Sequence, residues 1–206
     1  MGFWENLNVS RETFSRLEAY KDTLLLWNSK INLISPKSAE DVWSRHFLDS
    51  AQIFKNLTPA DTHILDMGSG GGLPGLVLAI MSKDTYPNLK ITLVEVDKRK
   101  AVFLKEIVRT QGLNSSVLSE RVEAIPVLGA DIITARALAP LNVLLGYAFR
   151  HIKKEGRCVF LKGINYNKEI EEALDYWNFN IRVDDSITNP GSAILKITDL
   201  EQKNEA

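Results

Sequence analysis

One cysteine in 206 residues excludes an intrachain disulfide, which suits a reducing cytosol and predicts a cytoplasmic protein. Long hydrophobic runs are missing as well. Stretches such as "GLVLAIM" are far too short to span a bilayer. The start, "MGFWENLNVSRETF", lacks the basic region and apolar core of a signal peptide. No membrane association and no metal centre are expected. Neither sign of charge dominates: Lys and Arg number 25 against 26 Asp and Glu. Any nucleic-acid surface must therefore be a local patch. Residues 1–60 carry as many acidic as basic side chains, so they form no basic arm.

What is present fits one sizeable α/β domain with a small extension. Phe14, Leu17, Tyr20, Leu24 and Trp27 recur at helical spacing and predict a helix over 13–28. A second helix is predicted from about Ala39 to Lys55, capped by Ser38 with Asp41 three residues on. Its buried side would hold Val42, Trp43, Phe47, Ala51 and Phe54. The rhythm then changes. "HILDM", "KITLVEV", "SVLSER", "DIITARA" and "RCVFLKG" read as strands, and helical stretches begin at Pro74, Lys98, Pro140 and about Asn167. Such alternation predicts a mostly parallel sheet with helices on both faces. "FNIRVDDSI" and "SAILKITDL" flank "TNPG" and predict an antiparallel hairpin at the sheet's edge. The expected division is a helical extension over 1–60, a ligand-binding domain over 61–199 and a frayed tail over 200–206.

The densest signal is "ILDMGSGGGLPG", Ile64 to Gly75. Asp66, Gly68, Gly70 and Gly72 fit the acid-x-G-x-G-x-G turn of S-adenosylmethionine (SAM) enzymes. Gly70, Gly72 and Gly75 fit the G-x-G-x-x-G of dinucleotide binders. The loop follows the first strand of the sheet and opens a helix with Pro74 in its first turn. Glycines there let a ligand approach the main chain without Cβ atoms in the way. Glu95 ends the second strand and can accept both hydroxyls of a ribose, which SAM and NAD share. Asp66 and the terminal hairpin favour SAM, and with it a class I methyltransferase sheet.

Absences narrow the acceptor. Methylation of pyrimidine carbon 5 needs a cysteine nucleophile, and Cys158 sits inside the apolar strand "RCVFL", where a core role is expected. Methylation of exocyclic amines usually employs an Asn- or Asp-Pro-Pro-aromatic loop after the fourth strand. That place reads "ARALAPL". An acceptor that needs neither device remains, such as the ring nitrogen N7 of guanine, whose methylation removes no proton. Catalysis would then be mostly positioning.

The chain resembles the RsmG (GidB) family of 16S rRNA guanine-N7 methyltransferases. The resemblance is carried by "WNSKINLIS" (27–35), "RHFLDS" (45–50), "LDMGSGGGLPGLVLAI" (65–80), "LVEVDKRKAVFLKE" (93–106), "RVEAI" (121–125), "ARALAPL" (135–141) and "LKG" (161–163). The chain departs from it in having Gly71 and Gly72 where one bulkier residue commonly precedes the last glycine, and "EVD" where "ES" is commoner. The resemblance implies a class I fold with an N-terminal helical extension, SAM as donor, and a guanine near the decoding site of the small ribosomal subunit as acceptor. It implies a cofactor site that includes Gly68, Leu73, Val122, Glu123 and Arg136; Glu95 joins them from the ribose argument. Arg136, at the end of a strand, can hold the methionine carboxylate or an RNA phosphate, and is the candidate catalytic residue; a structural salt bridge is the competing role.

Arg45, His46, Arg121 and Lys162 are the candidates for RNA contact. Asp49 lies four residues after Arg45 and three after His46, so a local pairing on one helix face is the plainer expectation for "RHFLDS". Asn32 either caps or bonds across to the glycine loop. Phe3, Trp4 and Trp27 are expected in helix packing rather than base stacking. A monomer is expected. A SAM enzyme acting on a small molecule and a non-enzymatic nucleotide-binding module remain as alternatives. Methylation of small ribosomal subunits against a metabolite panel separates the first; titration of SAM beside NAD separates the second.

Overall fold

The computed structural model describes residues 9–203. Phe3 and Trp4 lie outside them. Helix α1, Arg11–Asn28, starts where Ser10 accepts the Thr13 N–H. Leu17, Tyr20 and Leu24 form its buried stripe, as the 3–4 spacing requires. Phe14 and Trp27 are only half-buried and serve as packing partners, Phe14 stacked on Trp43 and Trp27 tilted against Phe103.

The second predicted helix is broken into pieces. Ser35, not Ser38, caps a four-residue helix α2, Pro36–Ala39. Ser38 lies inside that helix and bonds back to Ser35. A π-helical turn covers Trp43–Leu48, a short helix α3 covers Asp49–Ala51, and a 3-10 turn covers Gln52–Asn56. Asp41 supports this second start by accepting the Ser44 N–H. Val42, Phe47 and Ala51 are buried as the pattern predicts, whereas Trp43 and Phe54 are half-buried. Tyr20 stacks on Phe47 at 4.8 Å and fastens this segment to α1.

Seven strands follow: β1 His63–Met67, β2 Lys90–Val94, β3 Ser115–Leu118, β4 Ala130–Arg136, β5 Ile152–Lys162, β6 Trp177–Asp185 and β7 Ala193–Gln202. Helices α4 Gly75–Thr85, α5 Lys98–Gln111, α6 Leu141–His151 and α7 Tyr166–Leu174 connect them. The sheet order is β3-β2-β1-β4-β5-β7-β6, with β7 antiparallel to both β5 and β6 and the remaining pairs parallel. The strand "SVLSER" stops at Leu118. The last strand runs on to Gln202, with Glu201 and Gln202 paired to the start of β6, so positions 200–202 are strand and not tail.

Alternation along each strand feeds two cores. Ile64, Ile91, Leu93, Ile132 and Val159 face α1, α4, α5 and the 43–56 segment. Leu65, Met67, Ile133, Cys158 and Phe160 face α6 and α7. The N-terminal helices thus cover one face of the sheet and share its core. The order reverses at β1, with β2 on one side and β4 on the other, which opens a crevice beyond the strand ends.

Candidate functional site

The glycine loop occupies that crevice, and Asp66 shapes it from below. Its carboxylate is fully buried; Oδ1 accepts from Thr134 Oγ1 at 2.7 Å and Oδ2 from the Gly75 N–H at 3.2 Å. Burial pushes its pKa up to about 6. A Cβ on Gly75 would stand 2.6 Å from Asp66 Oδ2 and 2.3 Å from Leu93, so only glycine lets α4 start this close to the sheet. Gly68, Gly70 and Gly72 all have positive φ (+65°, +55° and +89°). Around Gly70, a Cβ would meet nothing nearer than 3.9 Å, so the backbone there is open to a ligand.

Glu95, one residue past β2, is buried and grips the loop: Oε2 accepts the Gly70 N–H and Oε1 the Asp97 N–H, both at 2.8 Å. A carboxylate has about four acceptor positions, so these two bonds leave others available to a ligand. Tyr20 anchors the loop from the other side, its hydroxyl donating to Gly71 O in the core. Burial raises the phenol pKa and keeps it neutral. Tyr20 went unrecognised as a loop anchor because its spacing marks only a helix face; the signal was a hydroxyl where Leu or Phe would fill the stripe. Asn28 was missed too. Its Oδ1 accepts the N–H groups of Leu33 and Ile34, whereas Asn32 is exposed.

Arg136 ends β4 and points into the N-terminal segment. Nη1 donates to Arg45 O and Asp49 Oδ2, both at 3.2 Å, and Nη2 lies 2.9 Å from His46 Nδ1. None of these contacts uses Nε. Asp49 therefore pairs across the fold and not with Arg45 or His46 beside it; the wide π-helical turn directs the Arg45 carbonyl and the His46 ring towards Arg136. Burial, then the charges of Arg136 and Arg45, lower the His46 pKa to about 4. The ring is neutral near pH 7, with Nδ1 accepting and its proton on Nε2. Asp49 Oδ1 also accepts from Thr188 Oγ1 at 2.7 Å and from Gln52 Nε2 at 3.1 Å, which ties the β6–β7 turn to the same cluster.

Lys162 is not a surface cation. Its side chain is 9% exposed, pairs with Glu169 at 2.5 Å and donates to Ala139 O. Glu169 in turn accepts the Leu141 N–H, fixing the start of α6. Arg121 is exposed beside Glu123, at 3.7 Å. Val122 is buried and its carbonyl lies 2.9 Å from His151 Nε2. The cleft, about 1220 Å³, is lined by Gly68, Leu73, Glu95, Val122, Glu123 and Arg136, and also by Arg45, His46, Arg121 and Lys162. It exceeds the roughly 300–1,000 Å³ of a small-ligand pocket, leaving room for more than a cofactor.

Among the described residues, no helix is long and apolar enough to cross a membrane, and no group of three or more His, Cys, Asp and Glu could hold a metal ion. Similarity in structure extends to P. horikoshii TYW2 in complex with MeSAdo, with a TM-score of 0.56 at 16% identity over 82% of this chain and 64% of that one. It extends also to the ribosomal protein L11 methylase from Lactobacillus delbrueckii, with a TM-score of 0.57 at 15% identity over 76% and 77%. At such identities the likeness concerns the fold, a class I methyltransferase sheet. Sequence similarity is closer. The ribosomal RNA small subunit methyltransferase G of Ruegeria pomeroyi is 46% identical over 93% of this chain and 94% of its own. The protein of that name from Cereibacter sphaeroides is 47% identical over 94% and 93%. Residues 13–196 match the family profile described as rRNA small subunit methyltransferase G, GidB, and the chain belongs to that family.

Proposed function

We propose that this chain methylates N7 of a guanine in 16S rRNA near the decoding region of the small ribosomal subunit, acting in the cytoplasm as a monomer. Family membership carries the coarser statement, a SAM-dependent methyltransferase of small-subunit rRNA. The open backbone at Gly70 and the remaining acceptor positions of Glu95 fit a nucleoside cofactor. Glu95 would take the ribose hydroxyls, Gly68 and Leu73 would flank the methionine end, and Val122 and Glu123 would border the adenine. When bound, SAM supplies an electrophilic methyl group.

The N7 reading rests on one observation: the groups bordering the ends of β4 and β5 are already committed. Asp49 holds Arg136, Glu169 holds Lys162 and the Leu141 N–H, and His46 Nδ1 faces the Arg136 guanidinium. None stands free as a general base. Guanine N7 needs none, because its lone pair attacks without loss of a proton. Arg136, held in a fork by three partners, keeps the acceptor side in register. Glu123, Arg121 and Arg45 border the cleft where RNA would pass.

The test is the pH–rate profile of single-turnover methylation on small ribosomal subunits. A flat rate between about pH 7 and 8 is expected, above the range in which Asp66 beneath the glycine loop titrates. An ascending limb that disappears with one side chain would point to an acceptor that must lose a proton.

A further inference from the structure

β4 ends at Arg136, and the next residue, Ala137, has φ +52°. That region is strained for a residue with a Cβ. The reversal brings Leu138 back over the glycine loop, where its Cδ1 lies 2.5 Å from the place a Cβ on Gly68 would take. Gly68 is bare partly so that this side chain can rest on it. Leu138 nonetheless stays 38% exposed and lines the cleft. One face of the isobutyl group thus sits on loop backbone and the other looks into the cleft.

Sheet order fixes which end of the cleft this is. β1 lies between β2 and β4. Glu95, with the exposed Val96 beside it, follows β2 on the ribose side. Leu138 follows β4 on the other side, next to Arg136. There the charged side chains are occupied, Arg136 by Asp49 and Lys162 by Glu169. Leu138 offers an apolar surface among them. A purine whose edge reacts without a base needs such a surface more than it needs a proton acceptor, since bases withdrawn from their stack are gripped between apolar or aromatic side chains.

We infer that Leu138 is an acceptor-positioning residue: the strained turn at Ala137 holds its side chain against the face of the acceptor purine and keeps water from the reacting edge. The inference rests on the rRNA reading proposed above.

The test uses unmethylated small ribosomal subunits, methyl-labelled SAM, and the variants Leu138→Ala, Leu138→Asn and Leu138→Met. With saturating SAM, kcat/KM for subunits should fall about tenfold or more in the Ala and Asn variants, the effect of losing one well-packed leucine contact. Leu138→Met keeps an apolar body of similar volume and should stay within about threefold of the parent. The SAM dissociation constant, from calorimetry, should move by less than about twofold in all three. If Leu138→Ala fails to fold, Leu138→Asn, nearer to leucine in volume, carries the test. Unchanged kcat/KM in the Ala and Asn variants overturns the inference. So does a SAM constant that rises in step with the loss, which would place Leu138 in the cofactor site. A loss in Leu138→Met equal to that in Leu138→Ala, tracking melting temperature, would reduce the residue to packing. Parent protein that binds SAM yet labels no rRNA defeats the rRNA reading itself, and this inference with it.

Discussion

Arg136 Nη1 lies 3.2 Å from Asp49 Oδ2, joining residues 87 positions apart across the mouth of the cleft. Their side chains are only 18% and 17% exposed. Arg136→Lys keeps the charge but cannot reach Arg45 O, Asp49 and His46 at once. Turnover should fall by more than about tenfold with the fold intact by circular dichroism, and Arg136→Ala should be worse. Asp49→Ala strips a charged hydrogen-bond partner, a loss of about 2 kcal/mol. In a chain of this size the melting temperature should drop by roughly 4–8 °C. Normal turnover in Arg136→Ala would leave the pair as scaffolding alone.

Glu95 is expected to serve loop and ligand together. Glu95→Gln replaces one acceptor oxygen by a donor that must face a backbone N–H, at Gly70 or Asp97. It would also weaken the proposed bonds to the ribose. SAM affinity should fall about tenfold or more, since a bond to a charged partner contributes roughly 1.5–3 kcal/mol. Calorimetry checks this; an unchanged constant would confine Glu95 to holding the loop.

Gly72 separates loop geometry from ligand contact. A Cβ there would stand 2.3 Å from Leu76 Cδ1 and 2.9 Å from the Tyr20 hydroxyl, at φ +89°. Gly72→Ala should cost about 1–3 kcal/mol, read from urea unfolding, because strain and overpacking add. A variant as stable as the parent would mean that the loop relaxes freely.

Such demands explain what the sequence made legible. Positive φ at Gly68, Gly70 and Gly72 is a requirement on single residues, and glycine answers it visibly. The strand rhythm and the closing hairpin are likewise local patterns, and they placed the cleft. The partners of Arg136 were hidden. "RHFLDS" reads as one helical face, on which Asp49 would meet Arg45 or His46, but a π-helical turn has no period of its own in the sequence. Lys162 and Glu169 meet through a loop whose path no spacing reveals. Asn28 and Asn32 are equally plausible caps by composition; only the direction of the chain after α1 selects Asn28.

His46 and Asp66 should bend stability in opposite directions with pH. The His46 pKa falls from 6.5 to about 4 on folding, mainly through burial. The unfolded chain then binds more protons, so this contribution is complete above about pH 6.5 and is lost as pH falls towards 4. The Asp66 pKa rises from 3.8 to about 6 through burial. The folded chain then binds more protons, so this contribution is complete below about pH 4 and is lost as pH rises through 6. Urea midpoints at a series of pH values should show His46→Gln gaining on the parent as pH drops from about 6.5 to 4, and Asp66→Asn gaining as it rises from about 4 to 6. Parallel curves for either variant would contradict the assigned shift.

The position of the methyl group on the RNA separates an acceptor that keeps its protons from one that must lose one. Small subunits lacking the modification should be incubated with SAM and the protein, and their 16S rRNA mapped for N7-methylguanine by strand cleavage at that base. A single new stop at one guanine near the decoding region is predicted, absent without protein and absent with Arg136→Ala. A methyl group found on an exocyclic amine, a ribose hydroxyl or a pyrimidine carbon would contradict the account, because each needs proton removal or a nucleophile, and Asp49, His46 and Glu169 at the ends of β4 and β5 are held by Arg136 and Lys162.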